Sequence, residues 1–288
     1  MKSRSSLPCL LSVFMALTLN LAAADTKAPT APASAPAAKP KLGSTVFEWD
    51  KLTVLPRPNG ERRDVADNPT ATLGTFECHI TTLKVGAVSH APHRHPQEEL
   101  IFVKEGQVEA HINGQTQICG PGSTFFFATN DAHALRNAGD APATYWVVNL
   151  ATPATADATL RNAMPKVGSG VFDWTKLEAR PSKVGEGRRV LDGSTVTLAN
   201  LESHITTLNA GETPHAPHRH ADEEIVIVRE GTLEVTIEGR VTRAGPGSIV
   251  FVGANDMHGW RNVANTRASY HVVRVVTAET PKAEPTAK

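Results

Sequence analysis

His93, His95, Glu99 and the later His133 offer three imidazoles and one carboxylate. The same set recurs as His218, His220, Glu224 and His258, each member displaced by 125 residues. Imidazole and carboxylate are borderline-to-hard ligands. They suit Mn, Fe(II), Ni, Cu or Zn and leave positions open for water or substrate. A lone histidine would read as a surface or satisfied core residue, but eight ligand-type residues in two matching spacings do not. A purely structural metal fits less well, because structural zinc is usually closed by four ligands, commonly with Cys. His90 and His215 each stand three residues before the first ligand histidine. Each can serve as a general acid or base, orient substrate, or simply sit in a loop at a rim.

These residues need a scaffold that points them at one place. His93, His95 and Glu99 are all odd-numbered, so on a strand they project to one side, and the apolar Ile101 and Val103 continue that face. Leu100 and Phe102 make the other face apolar as well, so it must be covered, by another barrel or another subunit. Candidate strands in the first copy are 76–83, 99–104, 107–112, 115–118, 123–128 and 145–150, separated by turn signals such as Asn113-Gly114. Many short strands without long helical periodicity predict an all-β fold, a sandwich or barrel. His79 and His204 lie on a preceding strand, where Thr81 and Thr206 share their face; hydrogen bonding to a ligand imidazole and plain packing are both open. Glu98 and Glu223 have the wrong parity for the metal face and read as outer-layer or surface residues, and Arg94 and Arg219 also point away. Arg136 and Arg261 either meet an anionic substrate or solvate a turn, the latter being favoured.

The 125-residue offset extends beyond the ligands. VFEWDKL at Val46 returns as VFDWTKL at Val171, and HITTL, HAPHRH and GPGS all return. Two copies of one domain follow, at 42–150 and 167–277, joined by 151–166, which holds a short helical turn near 158–163. Each copy is long enough to bury its own core. Substitutions between the copies, Leu135 to Trp260 and Trp146 to His271 among them, predict differently shaped pocket walls.

The ends are of another kind. Lys2 and Arg4 precede an apolar run, Leu10 to Leu21, and Ala22-Ala23-Ala24 offers a cleavage site, so 1–24 reads as a signal peptide. No lipid-bearing cysteine stands at the cleavage point and no Arg-Arg pair precedes the run, so a Sec-type route to the periplasm or outside is expected. An uncleaved N-terminal anchor is the weaker reading, because the run is short. Residues 25–41 are a Pro/Ala-rich linker and 278–288 a similar tail. The 288 residues carry 29 basic and 29 acidic side chains, and loss of 1–24 leaves a net charge of −2. This balance argues against a nucleic-acid or membrane-surface partner. Cys78 and Cys119 remain in an oxidising compartment. They are either a disulfide or two buried thiols, and their equivalents Ser203 and Ala244 are both non-cysteine.

The spacing Gly86-x6-His93-x-His95-x3-Glu99-x6-Gly106 resembles the first motif of the cupin superfamily, with one extra residue before the first His. Gly120-Pro-Gly122 followed by His133-x3-Asn137 resembles the second. The second copy matches with Gly211, His218, His220, Glu224, Gly231, Gly245, Gly247, His258 and Asn262. Gly120 and Gly245 stand where that family usually has Pro, a change at a turn. The resemblance implies a bicupin: two double-stranded β-helix barrels, one divalent metal in each, held by the eight named residues. Mn or Fe is the expected functional ion, with Zn, Ni or Cu as alternatives. It implies no single reaction, since such proteins include decarboxylases, dioxygenases, isomerases and binders. A metal-dependent enzyme acting on a small organic acid or oxygenated small molecule is the leading expectation. An exported binder of metal or small ligand is the alternative. A homo-oligomer is left open.

Overall fold

The computed structural model describes residues 38–283. The expected signal peptide, most of the 25–41 linker and the last five residues of the tail lie outside the described residues. The all-β expectation is met: short antiparallel strands dominate, as the period-2 patterning requires. In the first barrel the large sheet runs, edge to edge, Gly170–Phe172, Thr124–Phe127, Glu98–Glu105, Ala143–Ala151, Thr75–Leu83, Gly60–Asn68 and Leu55–Arg57. A small sheet of Gln115–Cys119, Val108–Ile112 and His133–Asn137 packs with it. The second barrel repeats this plan with Thr45–Phe47, Ile249–Val252, Glu223–Glu230, Ala268–Val276, Asn200–Leu208, Gly185–Gly193 and Arg180–Ser182. Its small sheet is Arg240–Ala244, Leu233–Ile237 and His258–Asn262.

The two copies exchange an edge strand. Thr45–Phe47 pairs with Ile249–Val252 of the second barrel, and Gly170–Phe172 pairs with Thr124–Phe127 of the first. A boundary drawn at residue 167 therefore assigns Gly170–Phe172 to the second copy, whereas its hydrogen bonds lie in the sheet of the first. After each exchanged strand a single 3-10 turn carries a tryptophan. Trp49 N donates to Ser248 Oγ (3.1 Å) and Trp174 N to Ser123 Oγ (3.0 Å), so the serines of the two GPGS turns receive the arms. Gly247 has φ +97°, and a Cβ there would lie 2.3 Å from the Trp49 ring, so the turn admits only glycine. Arg63 and Lys104 of the first barrel cover the faces of Trp49, and Arg188 and Arg229 those of Trp174.

Alternation decides which side chain enters which core. In the first barrel Glu99, Ile101 and Val103 face inward, as the parity predicts, while Leu100 and Phe102 face out. The outward set packs on Ile225, Ile227, Phe251 and Val273 of the second barrel, forming one core between the barrels. Leu100, Phe102, Ile225 and Ile227 are all fully buried there. The apolar outer faces are thus covered within the chain, by the other barrel.

The structure decides one open question and corrects several expectations. Cys78 belongs to the core between the barrels and Cys119 to the interior of the first barrel, so they lie on different faces and both are free. His93 and His95 are not on a strand. Pro92 and Pro96 interrupt the ladder, and only a bridge from His93 to His133 remains. Trp146 and His271 face the core between the barrels rather than a pocket: Trp146 Nε1 donates to Gly247 O (3.2 Å), and His271 lies 4.9 Å from the Phe102 ring. The connection does hold a helical turn within 158–163, the 3-10 turn Ala158–Leu160, and a further one precedes it at Pro153–Ala156.

Glu98 and Glu223 are neither surface residues nor outer-layer supports of a metal site. Both are fully buried and latch the barrels reciprocally. Glu98 accepts from Thr195 Oγ1 (2.5 Å) and Thr197 N (3.0 Å). Glu223 accepts from Thr70 Oγ1 (2.7 Å), Ala71 N (3.1 Å) and Thr72 N (3.2 Å). Burial raises both carboxyl pKa values, and the hydrogen bonds only partly offset it.

Candidate metal centres

Each barrel draws its candidate ligands from three places. The irregular segment before Glu98–Glu105 supplies His93 and His95, that strand supplies Glu99, and His133 opens the strand His133–Asn137. The second barrel does the same with His218, His220, Glu224 and His258. The bridge His93–His133, with both backbone hydrogen bonds formed (3.1 and 3.0 Å), brings the loop against the small sheet, and His218–His258 repeats it. Within each group of three histidines the ligand-type atoms lie within 4.8 Å of one another. The carboxylates close the sets. Glu99 is 3.4 Å from His95 Nε2 and 3.7 Å from His133 Nε2, and Glu224 is 3.4 Å from His220 Nε2 and 3.1 Å from His258 Nε2.

The imidazoles are oriented for this. Nδ1 meets a backbone carbonyl in His93 (His133 O, 3.3 Å), His95 (Gln97 O, 3.2 Å), His133 (Asp131 O, 2.8 Å), His220 (Asp222 O, 2.8 Å) and His258 (Asp256 O, 2.8 Å). A proton held at Nδ1 leaves the Nε2 lone pair free for a metal. His133 Nε2 and His258 Nε2 are buried without a hydrogen-bond partner, the condition a bound cation would relieve. The residues present therefore fit a divalent ion in each barrel.

The electrostatics agree. Burial lowers the pKa of His93, with His90 adding to it, and burial also lowers that of His133. Burial and the neighbouring His258 and His215 bring His218 down to about 4. His95 goes the other way because its bond to Glu99 outweighs burial. His220 rises to about 9 despite burial, through Asp222 and Glu224. Glu224 falls to about 2 against burial, through His220 and His258.

The clusters open into cavities of different size, about 730 Å³ in the first barrel and about 300 Å³ in the second. Trp260 is one cause. It stands in place of Leu135, stacks on His258 (centroids 5.8 Å apart), and donates to Tyr270 Oη at 2.8 Å. A second is the outer hairpin, where Arg57 and Arg62 line the first cavity and their equivalents Ser182 and Gly187 do not line the second. His90 and His215 lie exposed at the two rims. Each Nδ1 turns to the carbonyl of the next residue (3.1 Å), and the rings abut His93 and His218 at 3.9 and 4.3 Å. His79 and His204 line the cavities, but they bond to Glu77 and Glu202 and not to a ligand imidazole. Arg94 is exposed and reaches Asn130 O (2.5 Å), away from the cluster. Arg136 and Arg261 neither solvate a turn nor line a cavity: each lies on a strand and forms an exposed cross-strand ion pair, with Glu109 and Glu234 respectively.

Sequence reasoning missed Glu77, Tyr145, Gln97 and Asn149 of the first cavity. In the second it missed Tyr270 and Arg274, and behind them Asp222, which holds Arg274 (2.6 and 3.0 Å), and Glu202, which holds His204. The alternation Glu77-x-His79-x-Thr81, repeated at offset 125, was the available signal for the glutamates. No local signal places Asn149 or Arg274 beside a ligand on another strand.

A cupin domain model matches residues 79–149 and again 204–274. No curated protein sequence matches the chain. Among solved structures, protein Ylba from E. coli is similar at 14% identity and a TM-score of 0.65, covering 84% of this chain and 94% of that one. An oxalate decarboxylase from Lactobacillus farciminis, in a formate complex, is similar at 14% identity and a TM-score of 0.63, covering 86% and 90%. AerE from Microcystis aeruginosa is similar at 16% identity and a TM-score of 0.59, covering 81% and 97%. At these identities the likeness concerns the fold. Two family matches on the two histidine clusters, within two barrels of one plan, make this chain a tandem cupin of the cupin superfamily, a bicupin.

Proposed function

We propose that this chain is an exported, metal-dependent bicupin enzyme that holds one divalent ion in each barrel and acts on a small organic acid or oxygenated small molecule. One observation carries the reading: in each barrel three imidazoles and one carboxylate converge at the base of an open cavity, with the His133 and His258 Nε2 atoms buried beside the carboxylate but without a hydrogen bond. Four such ligands leave positions open, and an ion there supplies a Lewis-acidic centre that polarises a substrate oxygen. The protein's own groups do the rest. The carbonyl-bound Nδ1 atoms hold the imidazole planes, Tyr145 and Tyr270 wall the cavities, and the rim histidines His90 and His215 are placed to orient an entering ligand. A small carboxylate suits the polar first cavity, and the formate bound in the L. farciminis protein of like fold supports that class. Decarboxylation, oxygen-dependent cleavage and isomerisation are the candidate reactions.

The test is metal analysis of the protein isolated from its own source, followed by turnover assays. Activity is measured after chelation and refilling with Mn, Fe, Ni, Cu or Zn, against organic acids, diketones and flavonols, with oxygen uptake recorded. Turnover restored by Mn or Fe supports the enzyme. Tight binding of a panel member with no turnover under any metal replaces it with a non-catalytic exported binder. Export is tested separately by sequencing the mature N-terminus, expected at Asp25.

A further inference from the structure

Each cavity is lined by a further histidine, bonded to its own glutamate, to which the metal reading gives no task. On the strand Thr75–Leu83, Glu77 and His79 face inward together, and His79 Nδ1 lies 2.7 Å from Glu77 Oε1. On Asn200–Leu208, His204 Nδ1 lies 2.8 Å from Glu202 Oε1. Both histidines line their cavities, one strand removed from the ligand carboxylate: Glu77 pairs across to Asn149, which pairs across to Glu99.

Glu77 is itself fixed, accepting from Arg62 Nη2 (3.0 Å) and Asn149 Nδ2 (2.8 Å). Burial alone would raise its pKa, but the bond from His79 and those from Asn149 and Arg62 hold it below the usual carboxylate value. An ionised carboxylate at Nδ1 keeps that proton in place and leaves the Nε2 lone pair as the reactive atom. Nε2 of His79 and of His204 makes no hydrogen bond among the described residues. The rim residues His90 and His215 lack this arrangement, since a backbone carbonyl and no carboxylate meets their Nδ1.

We propose that His79 and His204 are the proton-transfer residues of the two centres, each oriented by its glutamate, and that they act on a small 2-oxo acid held at the adjacent histidine cluster. The inference rests on the metal reading above. Nε2 takes a proton from the carbon next to the substrate carbonyl, and the C–H electron pair stays on the substrate as its enolate. The Nδ1 proton stays on the imidazole, and the glutamate charge offsets the imidazolium. The reverse step returns the proton to carbon, so nothing is oxidised or reduced. Arg57, exposed at the first cavity and without an ion pair among the described residues, is placed to meet the carboxylate of a 2-oxo acid.

The test uses the full-length, Mn-loaded protein in D₂O, with pyruvate and 2-oxobutyrate as probes, each rate being taken above that of a protein-free control. Proton-NMR loss of the probes' C–H signals is followed and metal content is measured in the same samples. The wild-type protein exchanges these protons. The double variant His79→Gln with His204→Gln loses about 100-fold or more in exchange rate while keeping the wild-type metal content. His79→Gly with His204→Gly regains exchange when imidazole is added, which a merely structural role would not produce. Unchanged exchange in the glutamine double variant at full metal content overturns the inference. So does absence of exchange in the metal-loaded wild type. Loss of metal from the wild type is a separate failure, that of the metal reading, and the metal measurement reports it independently.

Discussion

His271 gives a sharp quantitative expectation. It is fully buried in the core between the barrels, against Phe102, and neither ring nitrogen has a hydrogen-bond partner. Burial, with Arg229 and His204 adding charge repulsion, lowers its pKa from 6.5 to about 3. In the unfolded chain the imidazole titrates at the ordinary value. Between about 3 and 6.5 the unfolded state therefore binds the extra proton, and stability falls as pH falls through that window. One unit is worth about 1.4 kcal/mol, so a drop from pH 7 to pH 5 costs about 2 kcal/mol through this residue alone. His271→Leu removes the titration at nearly the same volume. It also removes two unpaired buried nitrogens, so at pH 7 the variant should be at least as stable as the parent. Urea unfolding of both proteins at the two pH values isolates the effect, because the other histidines contribute equally to each. The wild-type protein should lose about 2 kcal/mol more than the variant. Equal losses would refute the assignment of His271 as a buried neutral imidazole.

Three further outcomes follow from the site and the interface. His95→Ala should lower bound metal by about one equivalent, and His95→Ala with His220→Ala by about two, read by elemental analysis; full metal content in the double variant would dismiss the ligand assignment. Glu98→Ala leaves Thr195 Oγ1 and Thr197 N buried without their acceptor and should cost about 3 kcal/mol in denaturant unfolding. A loss below about 0.5 kcal/mol would mean that the latch contributes nothing. Trp260→Leu should widen the second cavity toward the 730 Å³ of the first and let it accept ligands that only the first barrel binds, measured by calorimetry with His133→Ala silencing the first site. Unchanged selectivity would remove Trp260 as a cause of the difference.

The candidate ligand sets were legible because metal chemistry restricts residue type and the repeat shows the spacing twice. Glu99 was placed correctly from parity, since it lies on a continuous strand with Ile101 and Val103. His93 and His95 reach the same point for another reason: prolines break the ladder, and a backbone bridge to His133 carries the segment inward. Parity also marked Glu98 and Glu223 as facing away from the metal. It could not say that the outward side is a buried interface, or that each glutamate finds threonine and backbone donors on the other barrel.

By itself the sequence determined the β architecture, the two copies, the eight candidate ligands and the apolar character of both faces of the central strands. Alternation and spacing are local properties, and a side chain's face is settled within a few residues. Only the tertiary structure decided that the barrels cover one another, that Thr45–Phe47 and Gly170–Phe172 are exchanged, that Cys78 and Cys119 lie in different cores, and that the two cavities differ in volume. The two copies are similar enough that an edge strand could complete either sheet. The choice between them depends on contacts over more than a hundred residues, such as Trp49 on the Gly247 turn, and no local pattern encodes those.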